Sequence, residues 1–361
     1  MVQVTRNFLA ESPLAPEVRA SLLDAFDQGW HDPRKLSQGA SKAAHLRSQA
    51  IEAIAEALCA HPTEIEIIGE PALGYFLAVA GLLRPASTFI HSAVDRKEIL
   101  TMARASPRAL ELPVDIRGKI SAEQLRNAPT DGVVVLQGAN GETGVKQDLD
   151  LLIDEIGPGP AICLDLTSSG GEVRLPTRWD SAIYDARSWR GPAGLGVLAI
   201  KNGSSWRNPL PHLSSIRTPH SFSLPLLIAS AVALESWKSS CPINEPKLRA
   251  LSNKFRSEIL TRIPNCDIAG DLDSSLPHIT SLSVLYVQGE ELLRDLEKKG
   301  FLVDSGSACT AEDLQPSHVL AAMGLLTHGN IRITLRPEIS SEDIDEFIAA
   351  LIVAVEKQRQ A

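Results

Sequence analysis

The feature that most constrains the fold is a regular alternation of short apolar runs with helical patterns over the first two thirds of the chain. Runs of this length predict strands, and the amphipathic stretches between them predict helices. Alternation of this kind predicts an α/β fold, a mainly parallel sheet with helices on both faces, because parallel neighbours need a crossover connection. The predicted strands are residues 64–68, 88–91, 133–136, 161–164, 182–185 and 196–201, and the predicted helices are 73–83, 96–105 and 149–156.

The pattern changes near residue 240. A long apolar helix is predicted for 221–237, the segment S-S-C-P follows it, and a new helix is predicted for 247–261. Because proline interrupts a helical pattern, we expect a domain boundary there. The remainder is predicted to be a smaller α+β unit, with strands at 282–286 and 330–335. Ser340 and Asp343 form a plausible capping pair for its last helix. The predicted parts are an N-terminal arm (1–15), a large domain (16–240) and a small C-terminal domain (241–361).

Composition narrows the classes of partner and compartment. Apolar residues make up 44% of the 361 residues, enough for a substantial core. The net charge of −9, with both signs mixed along the chain, predicts no nucleic-acid or anionic-membrane partner, whereas a basic partner surface is compatible with it. No apolar run approaches the ~20 residues that span a bilayer. The first ten residues lack a targeting pattern, so we expect a cytoplasmic protein.

The five cysteines are widely spaced and form no C-x-x-C or Cys/His pair. They predict reduced thiols and no metal site. Cys59, in a helical run, and Cys163, in an apolar strand, are expected to be simply packed, because free cysteine behaves as a small hydrophobe.

Three consecutive motifs near the C-terminus resemble a known family. They are D-S-G-S-A-C-T (304–310), P-S-H-V-L-A-A-M-G (316–324) and I-R-I-T-L-R-P (331–337). In order and spacing they resemble the C-terminal domain of cysteine desulfurases, in the class V aminotransferase group. The resemblance implies the fold of type I pyridoxal-phosphate proteins and removal of sulfur from L-cysteine as a persulfide, leaving alanine. It further implies a dimer and a sulfur acceptor such as an iron–sulfur scaffold protein.

The resemblance assigns the sulfur-carrying role to Cys309. A persulfide carrier must be an accessible, ionisable thiol on flexible backbone; Cys309 has small neighbours, including Gly306, before Pro316 ends the loop. The alternative is an ordinary loop cysteine. Arg332 matches the family's arginine that binds the substrate carboxylate, and the alternative for it is a surface strand arginine.

In the large domain the resemblance continues with fewer identities. A-N-G-E-T-G (139–144) resembles the family's A-N-N-E-I-G and implies that Asn140 lies near the cofactor ring. Asp165 ends a predicted strand, where the family keeps an aspartate against the pyridine nitrogen. A carboxylate there would keep that nitrogen protonated and make the ring an electron sink. Alternatively, Asp165 caps the next turn.

Other cofactor positions depart from the family. Aligning on Gly191, Pro192 and Gly194 puts Ser188 where the family has the lysine that forms the Schiff base, and serine has no amine. The nearest lysines, Lys146 and Lys201, are not expected to reach the ring. Arg96 occupies the position of the family's ring-stacking histidine. Ser168 occupies the position of the glutamine that follows the family's aspartate.

The predicted phosphate cup differs as well. Ala72 occupies the position of the family's threonine, and Asp185 occupies the position of a serine of the cup. Pro71 has no amide hydrogen to donate. A carboxylate about 4 Å from the phosphate costs roughly 4 kcal/mol per unit charge at an effective dielectric near 20, which Arg187 would partly offset. Ser221 approximates a threonine that binds the partner subunit's phosphate, or it is simply a helix N-cap.

These matches and departures leave three hypotheses. The first is a degenerate carrier that uses Cys309 to handle persulfide sulfur, alone or with an active desulfurase. The alternative is an active pyridoxal-phosphate desulfurase that works without the usual lysine, slowly, because general base catalysis is typically worth ~10²–10⁴-fold. The third is an inactive scaffold in which Cys309 is a relic.

Overall fold

The computed structural model describes residues 6–28, 31–212, 217–219, 222–271, 273–306 and 316–360. The helices in these ranges are α1 Pro16–Asp27, α2 Gln38–Leu58, α3 Pro71–Ala80, α4 Lys97–Ala105, α5 Leu149–Glu155, α6 Leu224–Arg262, α7 Gly289–Lys298, α8 His318–Ala322 and α9 Ser341–Arg359. The strands are β1 Arg6–Phe8, β2 Ile65–Ile68, β3 Phe89–Ser92, β4 Ala109–Leu112, β5 Val133–Gln137, β6 Ala161–Asp165, β7 Ser181–Asp185, β8 Gly196–Ile200, β9 Cys266–Ile268, β10 Ile279–Val284, β11 Phe301–Ser305 and β12 Asn330–Thr334.

A seven-stranded sheet forms the larger layer, in the order β2-β8-β7-β6-β5-β3-β4. All its neighbouring pairs are parallel except those that β8 makes with β2 and β7. Every residue of β5, β7 and β8 is buried, as expected for strands covered on both faces. The predicted α/β class and mainly parallel sheet are confirmed.

A five-stranded sheet, in the order β1-β11-β12-β10-β9, forms the smaller layer. The strand predicted at 282–286 begins earlier, at Ile279, and the sequence did not indicate β1, β4, β9 or β11. The predicted arm supplies β1, which pairs in parallel with β11. Phe8 is fully buried in the core of the smaller layer, which is separate from the core of the large sheet. It stacks on Phe347 at 4.7 Å between ring centroids.

Helix α6 corrects one expectation. The predicted break after Trp237 is wrong, because a single 39-residue helix runs through Pro242 and Pro246. Both prolines are exposed, so water can satisfy the carbonyls that lose an intrahelical partner. The two ends of α6 are buried in different cores, and this packing outweighs the local cost of the prolines. The predicted domain boundary at 240/241 falls inside α6 and stays a prediction.

The described helices include none that is both long and apolar enough to cross a bilayer. Cys163 is buried, as expected. The expectation for Cys59 is wrong: it is the exposed C-cap of α2 and has a positive φ of 58°.

Candidate active site at the carboxyl edge of the large sheet

The parallel strands of the large sheet end at one edge, which we call the carboxyl edge. Loops after β3, β5, β6 and β7 meet there, as open α/β sheets arrange their ligand sites. Beside this edge lies a cavity of about 1230 Å³, which we call the edge cavity. Its lining includes Arg96, Asn140, Ser168, Ser188, Gly306 and Arg332. The structure therefore brings these six residues to one cavity, whereas Asp165, Pro71 and Ala72 are not part of its lining.

Asp165 is at the end of β6 and only 2% exposed. Its Oδ1 accepts from the Thr167 amide at 3.0 Å and from the Thr167 hydroxyl at 2.6 Å, which is the turn-capping contact. The Thr167 hydroxyl also lies 2.6 Å from the Tyr75 hydroxyl. The other carboxylate oxygen, Oδ2, lies 3.4 Å from Arg96 Nε.

Arg96 occupies the space in front of that carboxylate. Its Nη2 donates to Ser168 Oγ, and its Cζ lies 6.0 Å from the centre of the Tyr75 ring. A Cβ on Gly141 would lie 2.9 Å from Arg96 Nη2, so a larger residue at 141 would require the guanidinium to shift. About a third of the Arg96 side chain remains exposed.

Asn140 is buried and its amide group is satisfied by the protein. Its Nδ2 donates to Val94 O at 2.9 Å and to Gln137 Oε1 at 3.0 Å. Its Oδ1 accepts from the amides of Glu142 and Thr143, both at 3.0 Å. Asn140 therefore holds the turn after β5 against the loop after β3.

Ser188 lies in a short 3-10 helix directly after β7, and its hydroxyl donates to Asp185 O at 2.6 Å. Among the described residues that line the edge cavity, Lys97 is the one lysine, and its side chain is exposed at the start of α4. Lys201 donates to Thr177 O at 2.9 Å and, like Lys146, is not part of the lining.

The predicted phosphate cup contains an ion pair and a helix N-cap formed by the chain itself. Glu70 accepts from Ala72 N at 3.1 Å and caps α3, whose first residue is Pro71. Asp185 pairs with Arg187 at 2.6 Å. A helix N-terminus attracts anions, but here a carboxylate of the chain already fills that role. As arranged, the side chains fit one another and do not fit pyridoxal phosphate.

Arg332 links the two sheets. From β12 it donates to Asp304 Oδ2 at 2.8 Å and to Gly141 O at 3.1 Å. Asp304 is in β11 near the start of the loop that carries Cys309, and it also accepts from Ala10 N. Gly306 and Pro316, the described residues that flank the loop, both line the edge cavity.

Two predicted residues lie outside the described residues, namely Cys309 and Ser221. One expectation for Ser221 was that it would be the N-cap of α6. The N-cap in the structure is Ser223, whose side chain accepts a hydrogen bond from Leu226 N. Within the described ranges, no group of three or more His, Cys, Asp or Glu side chains is placed to hold a metal ion.

Two acidic residues near the edge cavity were missed by the sequence reasoning. Burial raises the pKa of Glu142 to about 7 and the pKa of Asp95 to about 8. Asp95 is 1% exposed and accepts from Ser92 N at 2.7 Å. The sequence shows that Asp95 precedes Arg96. It does not show that Asp95 is buried, because that burial depends on packing against the small unit.

Comparison with known proteins identifies the family of this chain. The family model for aminotransferase class V matches residues 10–347. Cysteine desulfurase IscS of Clostridium botulinum (strain Hall) is 27% identical over 99% of this chain and 96% of its own length. Cysteine desulfurase NifS of Azotobacter vinelandii is also 27% identical, over 96% of this chain and 91% of its own.

Solved structures agree on the fold. A NifS-like protein superposes with a TM-score of 0.87 at 20% identity, covering 98% of this chain and 99% of its own. The apo structure of a cysteine desulfurase from Thermococcus onnurineus NA1 has a TM-score of 0.81 at 15% identity, covering 98% and 95%. The chain thus belongs to the aminotransferase class V family, and within it to the cysteine desulfurase group.

Proposed function

We propose that this protein handles persulfide sulfur without pyridoxal phosphate: Cys309 accepts sulfur from an active desulfurase and passes it to an acceptor. The observation that carries the proposal is the Arg96–Asp165 pair, because the carboxylate that would serve the cofactor ring is already bound to a cation of the chain. The active desulfurase that works without the usual lysine is the competing function.

Two further features support the absence of the cofactor. Ser188 offers a hydroxyl, bonded to Asp185 O, where the family offers an amine. A phosphate near α3 would meet the carboxylates of Glu70 and Asp185. At about 4 Å and an effective dielectric near 20, each such pair of unit charges costs about 4 kcal/mol, and Arg187 offsets part of this cost for Asp185. We therefore derive no step through pyridoxal phosphate.

The frame around the Cys309 loop supports the carrier role. Arg332 fixes Asp304, and Gly306 and Pro316 border the edge cavity. Arg332 would then serve chiefly to position the loop, although the family's arginine binds the substrate carboxylate. Asn140 and Ser168 would be structural, since both are bonded within the chain.

The chemistry needs only a thiolate. Cys309 sulfur attacks the outer sulfur of a donor persulfide, the donor's S–S bond breaks, and the donor leaves as a thiolate with the electron pair. A new S–S bond forms on Cys309 and the outer sulfur keeps its proton. The oxidation level of the transferred sulfur is unchanged, so no oxidant is required.

We further propose the setting in which this would occur. The chain would act as a dimer, with itself or with an active desulfurase, and an iron–sulfur scaffold protein is a candidate acceptor. A reducing cytoplasm would keep the thiol available. The net charge of −9 favours a basic partner surface and argues against nucleic acid and anionic membranes.

The test compares two sulfur sources. The protein is incubated with cysteine and pyridoxal phosphate, alone or with a catalytic amount of an active desulfurase, and Cys309 is examined by mass spectrometry. We expect a persulfide on Cys309 only when the desulfurase is added. Alanine formed without it, and lost in Cys309→Ser, would instead establish an enzyme.

The matched control is Cys59→Ser, which removes an exposed thiol outside the loop. We expect this variant to accept sulfur as the parent does. A Cys309 that stays unmodified under every condition would refute both the carrier and the enzyme.

A further inference from the structure

We infer that Arg96 is a built-in occupant of the ring site of this fold, and that its guanidinium, more than the missing lysine, closes the site to pyridoxal phosphate. This inference stands whether or not Cys309 carries sulfur. It concerns the one cation that faces Asp165 among the described residues.

The Arg96 guanidinium is a flat group that is contacted on several sides. Its Nε faces Asp165 Oδ2 at 3.4 Å and its Nη2 donates to Ser168. The Tyr75 ring lies 6.0 Å from its Cζ, and Gly141 leaves room for its edge. A guanidinium is planar and delocalised, and it carries its N–H groups in that plane, as a protonated pyridine ring carries its own N–H.

The charge of Asp165 makes this contact important for stability. Asp165 is 2% exposed, and its Oδ1 is committed to Thr167. Its Oδ2 has no hydrogen-bond partner with good geometry, so the positive charge of Arg96 is what offsets burial of that oxygen. An uncompensated buried carboxylate is costly. A cofactor ring would have to displace a cation that is tethered beside the carboxylate and needs no free concentration to bind.

This arrangement separates the effect of the lysine from that of the arginine. Ser188→Lys would return an amine to the loop after β7 but would leave Arg96 in the ring site. The new ammonium would also add a second positive charge to the same cavity. Removal of Arg96 is therefore the change that opens the site.

The first test uses the protein without any cofactor. Arg96→Ala is compared with Arg104→Ala, which removes an exposed arginine from the same cavity lining. We expect a larger fall in Tm for Arg96→Ala, and partial recovery on adding low-millimolar methylguanidinium, a planar cation. Methylammonium, which is not planar, should have no such effect, and neither cation should stabilise Arg104→Ala. Equal falls in Tm for the two variants, or equal recovery with the two cations, would overturn the inference.

The second test measures cofactor retention directly, and it also serves if Arg96→Ala does not fold. A background carrying Ser188→Lys and Asp185→Ser is compared with the same background plus Arg96→His. After equilibrium dialysis against pyridoxal phosphate, bound cofactor is measured by visible absorbance. We expect at least about tenfold tighter binding with Arg96→His, equivalent to about 1.4 kcal/mol. Equal retention by the two chains, whether high or zero, would reject Arg96 as the group that closes the site. Rejection of Arg96 would remove the structural argument against the cofactor on which the proposed function rests. Neither test measures a persulfide at Cys309, so transfer of sulfur to that thiol is decided separately.

Discussion

Of the arginine–aspartate pairs at the edge cavity, two have opposite roles. Arg96 and Asp165 both belong to the large unit, and in our proposal their pair fills the place where a cofactor ring would lie. Arg332 and Asp304 belong to neighbouring strands of the small sheet. Their pair holds the start of the Cys309 loop, and a second Arg332 contact, to Gly141, ties it to the large unit. In our proposal the same chemistry thus closes one site and supports another.

Burial explains why the two pairs should respond differently to mutation. The Asp165 side chain is 3% exposed, whereas that of Asp304 is 16% exposed and receives a further hydrogen bond from Ala10 N. Loss of its arginine leaves Asp165 with little water to solvate it. Asp304 keeps both solvent and a donor.

The largest effect is expected from Arg96→Leu. Breaking a buried pair from one side costs about 3–5 kcal/mol, and the exposed third of Arg96 places this pair at the lower end, about 3 kcal/mol. Urea denaturation measures the free energy of unfolding. Arg96→Leu combined with Asp165→Leu should recover part of the loss, because it removes the unpaired charge. A double variant as unstable as the sum of the single ones would contradict coupling between the two side chains.

The next effect concerns pH. Burial raises the pKa of Asp95 to about 8 in the folded protein, from an ordinary value near 4. Between these values the folded state holds a proton that the unfolded state has lost, so this group makes the protein less stable as pH rises from about 4 to about 8. Asp95→Asn keeps an acceptor for Ser92 N and removes the titration.

We therefore expect Asp95→Asn to raise the free energy of unfolding by about 1–3 kcal/mol at pH 8 and by much less at pH 5. Thermal unfolding across this range measures the difference. An equal effect at both pH values would show that the gain comes from packing and not from the proton.

A smaller stability effect is expected from Arg332→Gln. The partly exposed pair contributes about 1 kcal/mol, because water can replace part of the lost contact. Transfer of sulfur to Cys309 should nevertheless slow by an order of magnitude or more, since the loop start is no longer held at the cavity. Arg294→Gln, in an exposed pair on α7, is the matched control and should change neither quantity. Unchanged transfer in Arg332→Gln would break the contrast between the two pairs.

The smallest effect is expected from Glu70→Ala. Loss of an N-cap side chain costs about 0.5–2 kcal/mol, and the exposed position of this cap favours the lower half of that range. Urea denaturation with added phosphate tests whether the start of α3 then binds an anion. Stabilisation by phosphate in Glu70→Ala but not in the parent is expected, and an equal response in both would argue against Glu70 as the blocking group.

The sequence was sufficient for features that depend on local pattern. The alternation of apolar runs predicted the large sheet, and the position of Asp165 at its carboxyl edge followed from a strand end. Ser340 and Asp343 do form the capping box of α9. These features depend on residues close in sequence or on strands that are each buried on both faces.

Features that depend on distant packing could not be predicted. The sequence showed Arg96 only as the residue at the position of the family's histidine. Its contact with Asp165 joins the loop after β3 to the end of β6, which are distant in sequence. The continuity of α6 through two prolines depends on two cores that hold its ends. Likewise, the exposure of Cys59 follows from the backbone turn that ends α2, which the helical pattern does not reveal.

The pairing of β1 with β11 has a consequence for how the chain is made. Arg6 also bonds Asp343, a residue 337 positions later, so β1 is synthesised long before its partners. At roughly 5–20 residues per second, translation would separate the two by about 15–70 s. During that time Phe8 has no core to enter. Strand β1 therefore leaves the ribosome well before it can reach its native place.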